Sequence, residues 1–165
     1  MEDPGGEITR TALDEGAEVV LVAGGDGTVR AVAEAVAGTG IPLAIVPSGT
    51  GNLFALNLGL PQTSPEGMID AVFTGFSYPV DIGWALLTRE DDSEDEHAFV
   101  VLAGMGLDAH MIAHTSPQLK KSVGWVAYVD GAARSLPGAK PFRTVYQIDE
   151  SRHRSAKVHS VLIAN

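Results

Sequence analysis

The chain has no cysteine, which excludes disulfides, thiolate nucleophiles and zinc–thiolate sites. Positive charge is scarce: 11 Lys and Arg stand against 21 Asp and Glu, a formal net charge of −10. A protein that grips a nucleic-acid backbone needs a basic footprint, and anionic membranes attract basic segments; this composition supplies neither. Long apolar runs are missing too. None reaches the roughly 18 residues of a membrane-spanning helix, and the opening Met1-Glu2-Asp3-Pro4 is acidic where a secretory leader is basic. The expectation is a soluble cytoplasmic chain with no transmembrane segment and no nucleic-acid partner.

Familiar site signatures are absent as well. No Gly-Lys-Ser/Thr of a P-loop occurs, and Gly25-x-Gly27-x-x-Arg30 lacks the third glycine of the dinucleotide fingerprint. His110 and His114 have helical spacing, but Met111 stands where zinc proteases carry their glutamate, so no metal site is assigned. The acidic run Glu90-Asp91-Asp92-Ser93-Glu94-Asp95-Glu96 has no glycine turn of the calcium-loop type and reads as a solvated hairpin loop. Lys120, Lys121 and Arg134 read as a solvated face, with phosphate contact as the sharper alternative; Trp84, Trp125 and Tyr128 read as packing.

What the chain does have is two strand–loop–helix units. An apolar run, Val19-Val20-Leu21-Val22-Ala23, stops at Gly24-Gly25-Asp26-Gly27-Thr28 and gives way to helix formers. Gly24, Gly25 and Gly27 permit positive φ and close backbone approach to a ligand. The helix opening near Thr28 turns free N–H groups and a positive dipole end toward the loop, which suits a phosphate. Asp26 beside such a cradle can hold magnesium, orient a hydroxyl, or simply cap a helix. The second unit is the strand Pro42-Leu43-Ala44-Ile45-Val46, then Pro47-Ser48-Gly49-Thr50-Gly51-Asn52, then a helical run. Residues 29–36 read as a crossover helix, which puts both loops at the carboxyl edge of two parallel strands, where open α/β sheets bind ligands. Thr50 and Asn52 either contact phosphate or ribose or cap the second helix.

These paired motifs resemble the catalytic domain of the diacylglycerol kinase and bacterial lipid kinase family, which also includes sphingosine and ceramide kinases. The first motif is shared with NAD kinases; the second, with Leu58-Gly59-Leu60-Pro61 after it, favours the lipid kinase branch. The likeness continues through Tyr78-Pro79-Val80-Asp81-Ile82-Gly83 and residues 99–108, 121–128 and 161–165. It implies a partial NAD kinase/diacylglycerol kinase-like open parallel sheet in residues 1–76, a nucleotide-binding α/β domain. A partial β-sandwich in residues 77–165 would follow, with the active cleft between them. It implies ATP and magnesium as cofactors and transfer of the γ-phosphoryl to a lipid hydroxyl, such as that of diacylglycerol, at a membrane surface. Asp26 becomes the catalytic candidate. Gly24, Gly25, Asp26, Gly27, Thr28, Val29, Arg30, Gly49, Thr50, Gly51 and Asn52 become the nucleotide-binding candidates. No metal ligand is assigned. A catalytically silent nucleotide- or partner-binding fragment is the alternative, and an NAD kinase-like enzyme the third reading.

The chain departs from the family pattern in places. Arg30-Ala31 replaces an Asn-Glu pair of many relatives, and Leu53 replaces an Asp. The family's opening strand and its later acidic Asp-Gly-Glu segment, implicated as the general base, have no match here. The chain therefore looks like the middle of a lipid kinase, from which little phosphorylation is expected alone.

Along the chain, helices are expected at 8–15, 28–37, 50–58, 65–73 and 121–136. Strands are expected at 18–23, 43–46, 78–87 and 98–103, and as a hairpin of 144–148 with 157–164. The α/β pattern gives way to a mostly β one near residues 75–79. Segments 19–22 and 158–163 are β-rich and nearly uncharged, and read as open strand edges. Low stability, self-association through those edges, or dependence on a partner supplying the missing strands is expected. Analytical ultracentrifugation with thermal unfolding checks this; a stable monomer with one sharp transition would contradict it.

Overall fold

The computed structural model describes residues 3–49, 51–61, 64–106 and 140–165. The helix expected at 121–136, the histidine pair, Lys120, Lys121, Arg134, Trp125 and Tyr128 lie outside the described residues, as does Thr50. Contacts divide the chain into two compact units, Met1–Val101 with Asn165, and Leu102–Ala164.

The first unit opens with α1 (Gly6–Asp14). Its free N-terminal N–H groups converge on one carboxylate: Asp3 accepts from Gly5, Gly6, Glu7 and Ile8 at 2.9–3.3 Å. Gly16, expected as the helix stop, takes φ 90° just past its end. Then come β1 (Val20–Gly24), α2 (Asp26–Val36) and β2 (Leu43–Pro47). β1 and β2 pair in parallel, Val20 with Leu43 through Gly24 with Pro47. The amide of Ser48 donates to the Gly24 carbonyl at 3.0 Å, so pairing persists into the loops. Helix α2 has apolar residues at 29, 32, 33 and 36, the spacing of one helical face. All four are buried, with Val22 of β1 and Ile45 of β2 in the same core.

Two short helices follow, α3 (Leu53–Asn57) and α4 (Pro65–Thr74). Phe54 and Ala55 of α3 join the core. Ser64 caps α4 by accepting the Gly67 N–H at 3.1 Å, and Pro65 occupies the first turn, where a missing N–H costs nothing.

The hairpin of β3 (Gly83–Thr88) and β4 (Glu94–Phe99) differs from expectation. The acidic run is only partly a loop. Glu94, Asp95 and Glu96 lie in β4, opposite Thr88, Leu87 and Leu86. The reversal needs only residues 90–93: the Arg89 N–H donates to Ser93 O, Asp92 takes φ 61°, and Arg89 pairs with Asp95 across the turn. Backbone pairing and this ion pair offset the repulsion that argued for a solvated loop. The strand expected at 98–103 divides between β4 and β5 (Leu102–Gly106).

The second unit contains β5, β6 (Phe142–Tyr146), β7 (Arg154–Val158) and β8 (Ser160–Ala164). The segment expected as one hairpin arm, 157–164, is broken at His159. Residues before the break pair with β6, and residues after it pair with β5, Leu102 opposite Ala164. Among the described residues every sheet has two strands. The chain is thus a mixed α/β protein of small sheets, and its described core lies in the first unit.

One polar group ties α2 to the hairpin. Glu34 accepts the buried Ala98 N–H at 2.9 Å and pairs with Arg30 at 2.6 Å. Burial works against ionisation of Glu34, but the Ala98 N–H and Arg30 outweigh it and hold the carboxyl below the usual glutamate range. A carboxyl whose folded value is depressed adds stability above its unfolded value, roughly pH 4.3, and loses it as pH falls through the folded value. Thermal midpoints measured from pH 6 to 3 are expected to fall less steeply below about pH 4.3 in Glu34→Gln than in the unaltered chain.

Candidate functional site

The two glycine loops leave the same end of the β1–β2 pair, and the structure presses them together. A Cβ placed on Gly49 would lie 2.5 Å from the Gly25 Cα and 3.0 Å from Asn52 Oδ1. Backbone meets backbone here, so Gly49 cannot be larger without displacing the other loop, whereas a Cβ on Gly25 would lie 3.4 Å from the Gly49 Cα, an ordinary contact. Gly24, Gly25 and Gly27 were read as permitting positive φ and close backbone approach; none takes positive φ, and Gly25 is extended, with φ −91° and ψ −179°. Their use is steric. A Cβ on Gly24 would meet the Thr28 side chain at 2.8 Å, whereas one on Gly27 meets nothing within 4 Å among the described residues.

Gly25 is the N-cap of α2, and the first bond of the helix runs from Val29 N–H to Gly25 O at 3.0 Å. The N–H groups of Asp26, Gly27 and Thr28 precede that bond and point out of the helix end. With no capping side chain on them, they form a donor cluster at the positive end of the dipole, beside the open space at Gly27.

The second loop is shaped by Asn52. It takes the left-handed conformation, φ 49°, and its side chain brackets Gly49, with Oδ1 accepting the N–H and Nδ2 donating to the carbonyl, both at 2.9 Å. Asn52 is the N-cap of α3 by position, but its amide serves the loop instead. The cap comes from the other loop: Asp26 Oδ1 accepts the Leu53 N–H at 2.7 Å. Asp26 Oδ2 faces Gly51, where a Cβ would lie 2.8 Å away. Gly51 therefore leaves room for the carboxylate.

Of the candidates from sequence, Gly24, Gly25, Asp26, Gly27 and Thr28 form the first loop and helix start, and Gly49, Gly51 and Asn52 form the second. Val29 is buried in the core. Arg30 lies on another face of α2 with its guanidinium on Glu34 and on the Ala98 carbonyl, the latter at 3.2 Å. Reasoning from sequence missed the Leu53 amide and the Glu34–Ala98 contact. The four-residue spacing of Arg30 and Glu34 signals their pairing on a helix; nothing local signals Ala98. A cavity of about 210 Å³ lies at the far end of α3, floored by Phe54, Leu58 and Val100 and rimmed by Asn57, Asp81 and Asn165. None of the loop candidates lines it. No cluster of three metal-ligating side chains occurs among the described residues.

A parallel strand pair thus carries two interlocked glycine loops at one end, the first of them at a helix N-terminus. A family model, the diacylglycerol kinase catalytic domain, matches residues 2–85, which include both loops. The chain belongs to that family. It is 39% identical over 102 residues to a diacylglycerol kinase of Mycobacterium tuberculosis, covering 62% of this chain and 32% of the relative. It is 32% identical over 151 residues to an uncharacterized protein of Synechocystis sp., covering 92% of this chain and 32% of the relative. The chain thus spans about a third of the length of these curated relatives. A crystal structure of a diacylglycerol kinase from Bacillus anthracis shares the fold with TM-score 0.63 and 23% identity, covering 97% of this chain and 52% of that one.

The geometry separates two kinds of glycine. Gly49→Ala is expected to destabilise the first unit by about 1–3 kcal/mol through overpacking. Gly27→Ala, whose methyl enters open space within a helix, is expected to leave stability unchanged or raise it by about 0.5–1 kcal/mol. Urea unfolding of both variants measures the contrast.

Proposed function

We propose that the two loops are the nucleotide-phosphate cradle of an ATP-dependent lipid kinase. The observation that carries this reading is the contact of Gly25 with Gly49, which sets the bare helix end and the open space at Gly27 side by side. Membership of the diacylglycerol kinase family supports phosphoryl transfer as the reaction. Backbone N–H groups of Asp26, Gly27 and Thr28 donate to phosphate oxygens, with Gly24 and Gly25 keeping the approach clear. On the other side, Gly49, Thr50, Gly51 and Asn52 line the nucleotide, Asn52 by holding the loop in shape. Arg30 contributes through its place on α2, its guanidinium being engaged by Glu34 and Ala98.

In the transfer, the lipid hydroxyl oxygen bonds to the γ-phosphorus, the bond from phosphorus to the ADP oxygen breaks, and the hydroxyl proton leaves to a base. Positioning and charge neutralisation supply most of the rate enhancement in such reactions. Asp26 is the catalytic candidate. Its Oδ1 is committed to the Leu53 amide, so Oδ2 is the oxygen left to orient the acceptor hydroxyl or a cation. Magnesium suits this site as an ion held mainly by substrate phosphates with one carboxylate oxygen, and when bound it neutralises the β- and γ-phosphate charge. The acceptor in this reading is a lipid hydroxyl, such as that of diacylglycerol, presented at a membrane surface, and family membership supports a lipid acceptor. No described helix is long and apolar enough to cross a bilayer. The same reading makes residues 1–76 the nucleotide domain and residues 77–165 part of a β-sandwich, in keeping with the parallel β1–β2 pair and the antiparallel ribbons from β3 onward.

A second reading, nucleotide binding without turnover, is favoured by Leu53. Where many relatives carry an acid, this chain offers only a backbone N–H, and Asp26 is spent in part on capping it.

Calorimetric titration with magnesium-ATP tests the cradle. A Cβ at Gly27 meets no described atom within 4 Å, so in Gly27→Val binding is expected to vanish while the thermal transition persists. Unchanged affinity would place the phosphates elsewhere.

A further inference from the structure

Helix α2 carries the proposed cradle at one end and grips the β3–β4 hairpin further along. Ala98 is 2% exposed and pairs with Trp84. In an antiparallel ladder, one residue's N–H and C=O point either both toward the partner strand or both away. Those of Ala98 point away from β3, at an edge with no further strand among the described residues. Glu34 and Arg30 satisfy both. Glu34 Oε2 accepts the Ala98 N–H at 2.9 Å, Arg30 Nη1 donates to the Ala98 carbonyl at 3.2 Å, and the same two atoms meet each other at 2.6 Å. The result is a closed ring of hydrogen bonds in which two helix side chains replace one residue of a neighbouring strand. Arg10 of α1 lies 3.8 Å from the other Glu34 oxygen and adds a second cation. Just past the clamp, Val100 enters the core that Val29 and Val32 of α2 share.

We propose that Arg30 and Glu34 are positioning residues that couple nucleotide occupancy at the N-terminus of α2 to docking of the β3–β4 hairpin. This rests on the reading of residues 24–28 as the phosphate cradle. Asp26 and Glu34 are about 12 Å apart along one helix, at ~1.5 Å per residue. Phosphate bound to the first-turn N–H groups holds the helix end in place, and the clamp begins one turn later at Arg30. A helix held at its N-terminus holds the Ala98 backbone better. By reciprocity of linked equilibria, a docked hairpin then favours nucleotide by the same factor. Both bonds leave one nitrogen of Arg30, Nη1, whose two hydrogens serve the carboxylate and the carbonyl at once.

The test is NMR-detected amide exchange on the full 165-residue chain, with and without magnesium-ATP, alongside calorimetry. In the unaltered chain nucleotide is expected to slow exchange at Ala98. In Glu34→Ala that exchange speeds up, its response to nucleotide disappears, and magnesium-ATP affinity falls at least fivefold, the lower end of typical coupling factors. Arg30→Lys keeps the charge pair and serves if Glu34→Ala does not fold. With Nη1 gone and a shorter side chain in its place, the nucleotide effect at Ala98 is expected to shrink at least threefold, about 0.65 kcal/mol by RT ln 3. Binding of equal affinity in the unaltered and altered chains, with Ala98 exchange indifferent to nucleotide, overturns the coupling and leaves the cradle standing. No binding by the unaltered chain overturns the cradle and the coupling together, and reduces the clamp to packing.

Discussion

The contact between Gly25 and Gly49 governs the functional end of the first unit. Parallel pairing of β1 with β2 runs as far as the Ser48 amide, so the two loops emerge side by side with no room for a side chain at Gly49. Once the loops touch, Asp26 lies within reach of the Leu53 amide and Asn52 can fold back over Gly49. Each loop then supplies what the other lacks: the first gives a carboxylate to start α3, and the second gives a glycine, Gly51, that leaves the carboxylate space. The helix end that faces outward between them is left uncapped, which is a cost to folding that a bound anion would offset.

Helix α2 carries this arrangement into the body of the unit. One face, Val29, Val32, Ala33 and Val36, meets the strands. Another carries Arg30 and Glu34 to the hairpin edge. Such an edge is ordinarily a liability, since unpaired N–H and C=O groups invite another strand. Here two charged side chains close one point of it with a neutral pair. Isolated ion pairs at a surface add little. This pair matters through the backbone groups it satisfies, which sit at a residue too buried to find water.

Much of the first unit was legible in the sequence because its signals are local. Apolar runs ending in glycine clusters located both strand–loop–helix units, and the helical spacing in residues 29–36 identified the crossover. The choice of loop residues was legible too, though the reason for it was not. Glycine was read as a means to positive φ, whereas Gly24 and Gly49 are needed because Thr28 and Gly25 occupy the space. Steric exclusion by a neighbour distant in sequence leaves no local trace. The same limit hid the capping of α3 by Asp26 and the Ala98 contact, separated from Glu34 by 64 positions. In the acidic run the charge pattern pointed to solvent, but pairing with Leu86 and Leu87 drew half of it into a strand. The break at His159 was invisible for a related reason: the residues on both sides favour strand, and only their different partners divide them.

Helix α2 is held at both ends of its first nine residues, by the loop contact at Gly25 and by the clamp at Glu34. A helix turns through about 100° for each residue. Inserting or deleting one residue between Asp26 and Glu34 would therefore swing the clamp a quarter-turn or more away from Ala98, even with every side chain kept. A substitution in this segment alters one contact, whereas a change of length displaces all of them. The spacing from Asp26 to Glu34 is a phase as much as a distance, and it forbids changes of length that the composition of the helix would otherwise tolerate.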